Sequence, residues 1–382
     1  VKNIPPLDLT RQYKEIGEEV NQAVIELLHS GNYVGGNAVK DFEQQFALYT
    51  GTSECVSCNS GTDSLYLALR ALNIGEGDEV ITTAFSFIAT AEIISLVGAT
   101  PVFVDITPEN LNLDLEQVEK AITARTKAIL PVHLFGHPVD MTKIMEIAQS
   151  HNLYVIEDCA QGTGAEWAGQ KVGSIGHVGC FSFFPTKNLG ACGDGGAITT
   201  NDRAIAESAR ILKAHGSRQR YIHETIGINS RLDAIQAVIL QIKLRYLDSW
   251  NQQRRKVAQQ YTLLLQGLKH LQLPQANPQG KAVWNQYTVQ VTGGNRQNSA
   301  LASDCYRNEI LSQLQAQGVN AMVYYPVPLH LQPVYKGLGY QVGQLPSAEQ
   351  SAYQVLSLPM FPELTTPEQE QVAYVLKEAL EL

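Results

Sequence analysis

The chain is expected to be an α/β protein. A large part with a mostly parallel, mixed sheet flanked by helices is followed by a smaller C-terminal α+β part. Three observations carry this expectation. Apolar runs alternate with helical patterns from about Glu54 to Ala214, the mark of successive βα units. The 382 residues, 44% of them hydrophobic, suffice for one large core and a second, smaller one. A polar, breaker-rich stretch from Gln272 through Pro274 and Pro278 to Gly280 precedes a segment of different character.

Along the alternating region, short β-rich runs predict strands at Cys55–Cys58, Glu79–Thr83, Thr100–Asp105, Lys127–Val132, Leu153–Asp158, Gly179–Phe184 and Gly196–Thr200. Helices are expected between them at Asp63–Leu72, Ile88–Leu96, Leu115–Ala121 and Met141–His151, and after them at Asp202–Ala214. The gap between the last two strands, Lys187 to Gly195, is too short and glycine-rich for a crossover helix, so those strands should be antiparallel neighbours. Lys187 then falls on or beside a turn at a sheet end. From Arg231 to Leu265, apolar residues at Leu232, Ile235, Ile239, Ile242 and Leu247 predict one long helix or two in succession. A strand at Tyr287–Val291 and helices at Asp304–Gln317 and Pro367–Leu382 complete the reading. The division follows: residues 1–250 form the N-terminal segment and large domain, and residues 251–382 the small domain.

A formal charge of −9 and a pI near 5.5 argue against a nucleic-acid surface. One small basic group, Arg218 and Arg220 with His215 and His223, is too short to track a phosphate backbone but suits a single anionic ligand. The apolar window Ile93 to Val104 is well short of the roughly 20 residues that span a bilayer. The N-terminus has no cationic start followed by an apolar run, so the protein is expected to be cytoplasmic, with no membrane partner. Six cysteines in a chain of this length are no disulfide framework, and the lone Cys55-x-x-Cys58 has no second pair, so no metal is expected.

The chemistry centres on Lys187, which closes Phe181-Ser182-Phe183-Phe184-Pro185-Thr186-Lys187. A lysine amine is nucleophilic only when neutral, and burial lowers its pKa, so a lysine behind an aromatic-rich strand is a candidate for an imine with a carbonyl. Asp158, ending an apolar strand, is a natural partner for a protonated pyridine nitrogen. Together they suggest pyridoxal phosphate. Ser60-Gly61-Thr62-Asp63-Ser64 lies between a strand and a helix start, where free N–H groups and hydroxyls favour an anion, although the same residues also serve as ordinary caps. Phe85 and Phe87 follow another strand; either could stack on a ring or pack in the core. His133 and His137 flank a strand end and are expected to be structural.

These motifs, with Glu157-Asp158-Cys159-Ala160-Gln161 and Gly227-Ile228-Asn229-Ser230-Arg231-Leu232-Asp233, closely resemble the DegT/DnrJ/EryC1/StrS family of aminotransferases. The resemblance implies the type I pyridoxal-phosphate transferase fold and a homodimer with shared active sites. It also implies amino transfer, with L-glutamate as donor, to a keto-sugar linked to a nucleotide such as TDP or UDP. By the same resemblance Lys187 carries the cofactor, Asp158 pairs with its pyridine nitrogen, Phe87 stacks on its ring and Gln161 contacts its phenolic oxygen. Gly61, Thr62 and Ser182 bind the phosphate, with Asn229 reaching in from the partner subunit. Many relatives have histidine where Gln161 stands. Relatives with histidine at the lysine position are dehydratases, so Lys187 favours transfer.

The segment His215–Glu224 resembles a loop that relatives place at the substrate mouth. Arg218 or Arg220 would there meet a nucleotide pyrophosphate, unless the loop is simply a solvated surface. Tyr325 and His330 are candidate sugar contacts, with packing under a loop as the alternative. No arginine occurs after Arg307, which disfavours a keto-acid acceptor gripped by a C-terminal guanidinium. A cyclitol ketone, or a cofactor-binding regulator without turnover, are the other functions compatible with these motifs.

Overall fold

Two helices precede the first strand. α1 (Leu9–Ser30) is capped by Asp8, whose carboxylate accepts from the Thr10 N–H at 3.0 Å, and it ends at Gly31 in the left-handed region. α2 (Gly36–Thr50) drives Phe42 and Phe46 into the core. Neither helix is among the elements expected from the sequence. The computed structural model describes residues 3–293 and 305–381. The expected boundaries at Asp304 and Leu382, and the N-terminal Val1 and Lys2, lie outside these residues.

The central sheet comprises β1 (Glu54–Cys58), β2 (Glu79–Thr83), β3 (Thr100–Val104), β4 (Thr126–Leu130), β5 (Tyr154–Asp158), β8 (Val178–Ser182) and β9 (Gly196–Thr200), in the order β1-β9-β8-β5-β4-β2-β3. Between β5 and β8, Glu166–Trp167 (β6) and Gln170–Lys171 (β7) form a minor antiparallel ribbon. β9 runs antiparallel to both β1 and β8, and the other pairings are parallel. The type I architecture implied by the resemblance agrees with this α/β layout. Strand edges shift from the expected positions by one or two residues at most.

Successive residues on these strands serve opposite faces. Val80, Ala128, Ile156 and Val178 pack with Leu65 and Leu69 of α3 (Gly61–Ala71), Ile93 of α4 (Ala89–Leu96) and Ile205 of α7 (Arg203–Leu212). Ile81, Ile129 and Val155 instead pack with Val118 of α5 (Leu115–Lys120) and with Met141, Ile144 and Ile147 of α6 (Met141–His151). The window from Ile93 to Val104 is therefore the end of α4, a turn and strand β3.

Between residues 215 and 224, where a loop was expected, Ser217–Gln219 (β10) and Ile222–His223 (β11) form a hairpin. α8 (Ala234–Leu265) is then a single helix of 32 residues. Its first half packs Leu240 and Leu247 against α2 and β8. Its second half packs Val257, Tyr261 and Leu265 against a small sheet of Leu271–Gln272 (β12), Tyr287–Val291 (β14) and Val355–Leu358 (β15). Gly280–Lys281 (β13) pairs back onto β6. α9 (Tyr306–Ala316) and α11 (Thr366–Glu381) cover the small sheet through Ile310, Leu314, Val372 and Leu376. α10 (Pro346–Gln354) takes its N-terminal hydrogen bonds from Asp105, just past β3, whose carboxylate accepts from Ser347 and Ala348 N–H at 2.9 and 2.7 Å. No helix among the described residues is long and apolar enough to cross a membrane.

Gly179 on β8 sits at a close backbone approach: a Cβ there would lie 2.4 Å from the Gly173 Cα. Neither backbone can yield without disturbing β8. Gly179→Ala should therefore destabilise the fold by roughly 1–3 kcal/mol, as overpacking does. Urea unfolding checks this, and a variant as stable as the parent would contradict the packing described.

Candidate active site

The parallel pairing of β2, β4, β5 and β8, with β1 running like β8 because both oppose β9, gathers the carboxyl ends of β1, β2, β5 and β8 at one edge of the sheet, the edge at which open α/β sheets bind ligands. From β1 the chain enters α3. Ser60 Oγ accepts the Asp63 N–H at 3.0 Å, and the first intrahelical bond runs from Ser64 N–H to the Ser60 carbonyl at 3.0 Å. The N–H groups of Gly61 and Thr62 thus lie ahead of the helical ladder, at its positive end. Gly61 is pressed against the end of β8, where a Cβ at position 61 would come within 2.5 Å of the Ser182 Cβ. The Ser182 Oγ accepts the Phe184 N–H at 3.3 Å. Ser64, counted among the available hydroxyls in the sequence, is turned away: its buried Oγ donates to the Gly61 carbonyl at 2.6 Å.

Asp158 ends β5 and is buried. One carboxylate oxygen accepts from the Thr90 hydroxyl at 2.9 Å and the other from the Ala160 N–H at 3.1 Å. Burial raises its pKa, opposed by these two bonds and by the charge of Lys187. The same burial lowers the pKa of Lys187, with Asp158 opposing the shift. The structure therefore brings these two residues into mutual electrostatic range. Lys187 sits on the turn after β8, its N–H donating to the Phe184 carbonyl at 2.9 Å. Thr90, to which the sequence assigns no role, is the missed member of this group. It lies 68 positions from Asp158, and only the fold makes them neighbours.

Phe85 is fully buried in the core, whereas Phe87 is 55% exposed. Both rings lie 6.2 Å from the ring of Tyr325, centroid to centroid. Gln161 links this aromatic group to the turn after β5. Its Oε1 accepts the Phe135 N–H at 2.6 Å and its Nε2 donates to the Tyr325 hydroxyl at 3.2 Å. Burial pushes the Tyr325 phenol well above its ordinary range, so the hydroxyl stays protonated. Asn229 is exposed on the strand-like segment after the hairpin; its neighbour Ser230 is buried and accepts the Asn59 N–H at 3.2 Å, beside the entry to α3.

Other candidates stand apart. Arg218, on the exposed hairpin, pairs with Glu207 and Glu224 at 3.5 Å each, and Arg220 lies over the ring of Tyr221. His330 requires a correction: it is buried, and its Nε2 bonds Glu349 at 3.1 Å. Glu349 also accepts the N–H groups of Gly343 and Leu345, so this histidine packs under a loop rather than facing a ligand.

His133, Glu157 and Cys159 bring potential ligand atoms within 4.8 Å of one another. His133 and Glu157 are already engaged. His133 Nδ1 accepts the Val139 N–H at 3.1 Å, which puts the ring proton on Nε2, facing Glu157 at 3.0 Å. Glu157 also accepts from Gly173, Ile175 and Gly176 N–H, and burial keeps the Cys159 thiol protonated. The group ties loops behind β5. Cys55 and Cys58 are buried free thiols with pKa values raised by desolvation, Cys58 to about 12.

Residues 14–377 match the model of the DegT/DnrJ/EryC1/StrS aminotransferase family. Among similar curated proteins, one from Geobacillus stearothermophilus named pleiotropic regulatory protein is 46% identical over 99% of this chain and 98% of its own. The dTDP-3-amino-3,4,6-trideoxy-alpha-D-glucose transaminase of Streptomyces venezuelae is 45% identical, over 98% and 96%. Among solved structures, S. venezuelae DesV in complex with a ketimine intermediate superposes with a TM-score of 0.94 at 44% identity, covering all of both chains.

The raised pKa of Asp158 predicts a stability effect. For a raised group, the stability it contributes is present below the ordinary carboxylate value, about pH 4, and is lost as pH climbs through the raised one. Ligand-free Asp158→Asn protein should therefore gain stability relative to the parent as pH rises from 4 to 8. Paired thermal melts across that range check it; a gap that narrows or reverses with rising pH would refute the desolvation argument.

Proposed function

Because the chain belongs to the DegT/DnrJ/EryC1/StrS aminotransferase family and is an aminotransferase, we propose that it uses pyridoxal 5′-phosphate to move an amino group from L-glutamate to a keto-sugar linked to TDP or UDP. The observation that carries this reading is the meeting of Asp158, Lys187 and the Gly61–Ser182 contact at one sheet edge.

The residues fit the cofactor. The N–H groups of Gly61 and Thr62, at the start of an 11-residue helix, and the Ser182 hydroxyl suit its phosphate. The absence of a Cβ at Gly61 leaves that cradle open. A desolvated carboxylate that Lys187 and two hydrogen bonds only partly satisfy gains a full partner in a protonated pyridine nitrogen. The exposed ring of Phe87 is available for stacking, and the Gln161 amide, beside the Tyr325 hydroxyl, for the phenolic oxygen. Asn229 of the partner subunit completes the phosphate site in a homodimer. The division into a large cofactor-binding part, 1–250, and a small part, 251–382, belongs to the same reading.

When bound, the cofactor supplies a cationic ring that accepts electrons from the carbon bearing the amino group. Asp158 keeps the proton on the ring nitrogen. Thr90 and the Ala160 N–H hold the carboxylate in place for that task. Lys187 would anchor the cofactor, and its Nζ, held toward the neutral form by burial, would take the proton from the donor α-carbon. The protonated Tyr325 hydroxyl faces the same space and is proposed to contact the sugar.

The acceptor follows from what the C-terminal part lacks. Arg307 is the last arginine of the sequence, and its guanidinium is buried on the carbonyls of Val355 and Ala352 at 2.7 and 3.3 Å. A keto acid would find no guanidinium there. The named sugar transaminase of S. venezuelae supports a nucleotide-linked keto-sugar instead. On this reading Arg218 and Arg220, on the exposed hairpin, meet the diphosphate.

Two experiments test the proposal. In a panel of dTDP- and UDP-keto-sugars, free cyclitol ketones and keto acids with glutamate, turnover should appear with nucleotide sugars and vanish in Lys187→Ala. Turnover confined to keto acids or cyclitols would overturn the acceptor, and the absence of a glutamate half-reaction would overturn glutamate as the donor. Separately, mixing inactive Asn229→Ala and Lys187→Ala subunits should restore part of the activity. Proven hybrid dimers without activity would remove Asn229 from the partner's site.

A further inference from the structure

Lys187 stands on a turn whose outer residues, Phe184 and Thr186, are exposed, while residues 188 to 191 are buried beneath them. A long side chain on such a turn keeps its direction only if the turn is held from below. The side chain of Asn188 makes three short hydrogen bonds in a buried setting. Its Nδ2 donates to Asn251 Oδ1 at 2.7 Å and to the Val283 carbonyl at 3.0 Å, and its Oδ1 accepts from Asn285 Nδ2 at 2.7 Å. Asn251 then donates to the Thr163 carbonyl at 3.1 Å, on the turn that follows Asp158.

These contacts belong to a polar stripe on α8. Lys243, Asn251 and Arg254 fall within about 80° of one another around the helix, and all are buried. The Lys243 ammonium donates to the Gly190 carbonyl at 2.7 Å, at the far end of the lysine turn. The Arg254 guanidinium donates to the carbonyls of Trp284 and Asn285 at 3.2 Å each and of Met360 at 3.1 Å. Buried amides are costly unless paired, and when paired they fix orientation in a way that apolar packing does not.

We propose that Asn188 is a positioning residue: with Asn251 it ties the turn carrying Lys187 to the turn following Asp158, and through Asn285 to the segment entering the small sheet. The amine and the carboxylate thereby keep one separation, and that separation is shared with the strand leading to the C-terminal part. The inference rests on the reading that Lys187 and Asp158 bracket the cofactor.

The test compares Asn188→Ala with Tyr261→Phe. The latter removes another buried hydrogen bond from α8, the Tyr261 hydroxyl to the Pro359 carbonyl at 2.9 Å, remote from both turns. Two quantities are read besides the melting temperature. One is the rate at which cofactor-free protein captures added pyridoxal phosphate as a function of pH, whose midpoint follows ionisation of the attacking amine. The other is kcat and KM for the glutamate half-reaction.

In Asn188→Ala the midpoint should rise towards that of an ordinary lysine, because a loosened turn admits water. The kcat should fall on the order of tenfold to a hundredfold with KM little changed, the effect of a misplaced reacting group. Tyr261→Phe should lower the melting temperature and move neither quantity. An Asn188→Ala protein that melts earlier but keeps the parental midpoint and kcat would reduce Asn188 to a structural amide and overturn the proposal. If that variant does not fold, Asn285→Ala, which removes one of the three bonds, is read by the same criteria. Borohydride reduction and peptide mapping of the parent separate the two levels: a cofactor fixed on a lysine other than Lys187 overturns the reading of the site itself.

Discussion

A carboxylate taken out of water is the constraint around which this fold is arranged. Asp158 closes a central strand with both oxygens hydrogen-bonded, yet burial still outweighs those bonds and the charge of Lys187, so its pKa stands above the ordinary value. Lys187 responds to the same environment in the opposite sense and is drawn toward its neutral form. Each group is thus biased against the charge that would satisfy the other. Such a pair is a poor salt bridge and a good receptor for a third group that carries positive charge at one end and an electrophilic carbon at the other.

The scaffold explains how two poorly matched groups are kept so close. β5 sends Glu157 to one face, where three backbone N–H groups and His133 fix its carboxylate, and Asp158 to the other. The strand cannot slip without breaking that rear anchorage. β8 lies beside β5 in parallel register, so its end delivers Ser182 and the following turn to the same edge. The reversal at β9 is what makes the connection a turn instead of a helix. The chain needs to travel only from Ser182 to Gly196, and Lys187 remains within reach of the edge it has just left.

Much of this was legible because it is local. Strand–helix alternation from Glu54 to Ala214 gave the sheet elements within a residue or two, and the short glycine-rich gap after Lys187 gave the antiparallel return. The N-terminal helices escaped because α1 buries only a thin stripe, Ile16, Gly17, Val20 and Leu27, in 22 otherwise exposed or half-exposed residues. Its spacing is helical, but its mean polarity is that of a surface segment. Contacts across long sequence distances left no signal: Thr90 on Asp158, and Asn188 on Asn251 and Asn285, depend on sheet order and on the path of α8. His330 misled for a related reason. A histidine in a tyrosine- and proline-rich stretch reads the same whether it faces a cleft or, as here, caps a buried glutamate.

These contacts also show where the site is anchored most firmly. The groups around Asp158, and the turn bearing Lys187, are fixed by elements of the central sheet and by buried amides on α8, all with short bonds and little exposure. Residues beyond α8 add the Val283 carbonyl and Asn285 to that network, Tyr325 through a bond to Gln161 at 3.2 Å, and an arginine whose guanidinium is taken up by backbone carbonyls. Proton transfer at carbon tolerates little displacement, whereas recognition of a sugar can be redistributed among many polar contacts. On the proposed reading, rigidity is concentrated where the proton would move. By the same reading, the exposed hairpin with Arg218 and Arg220 and the Tyr325 hydroxyl would meet the acceptor, where contacts can change without disturbing the carboxylate beneath.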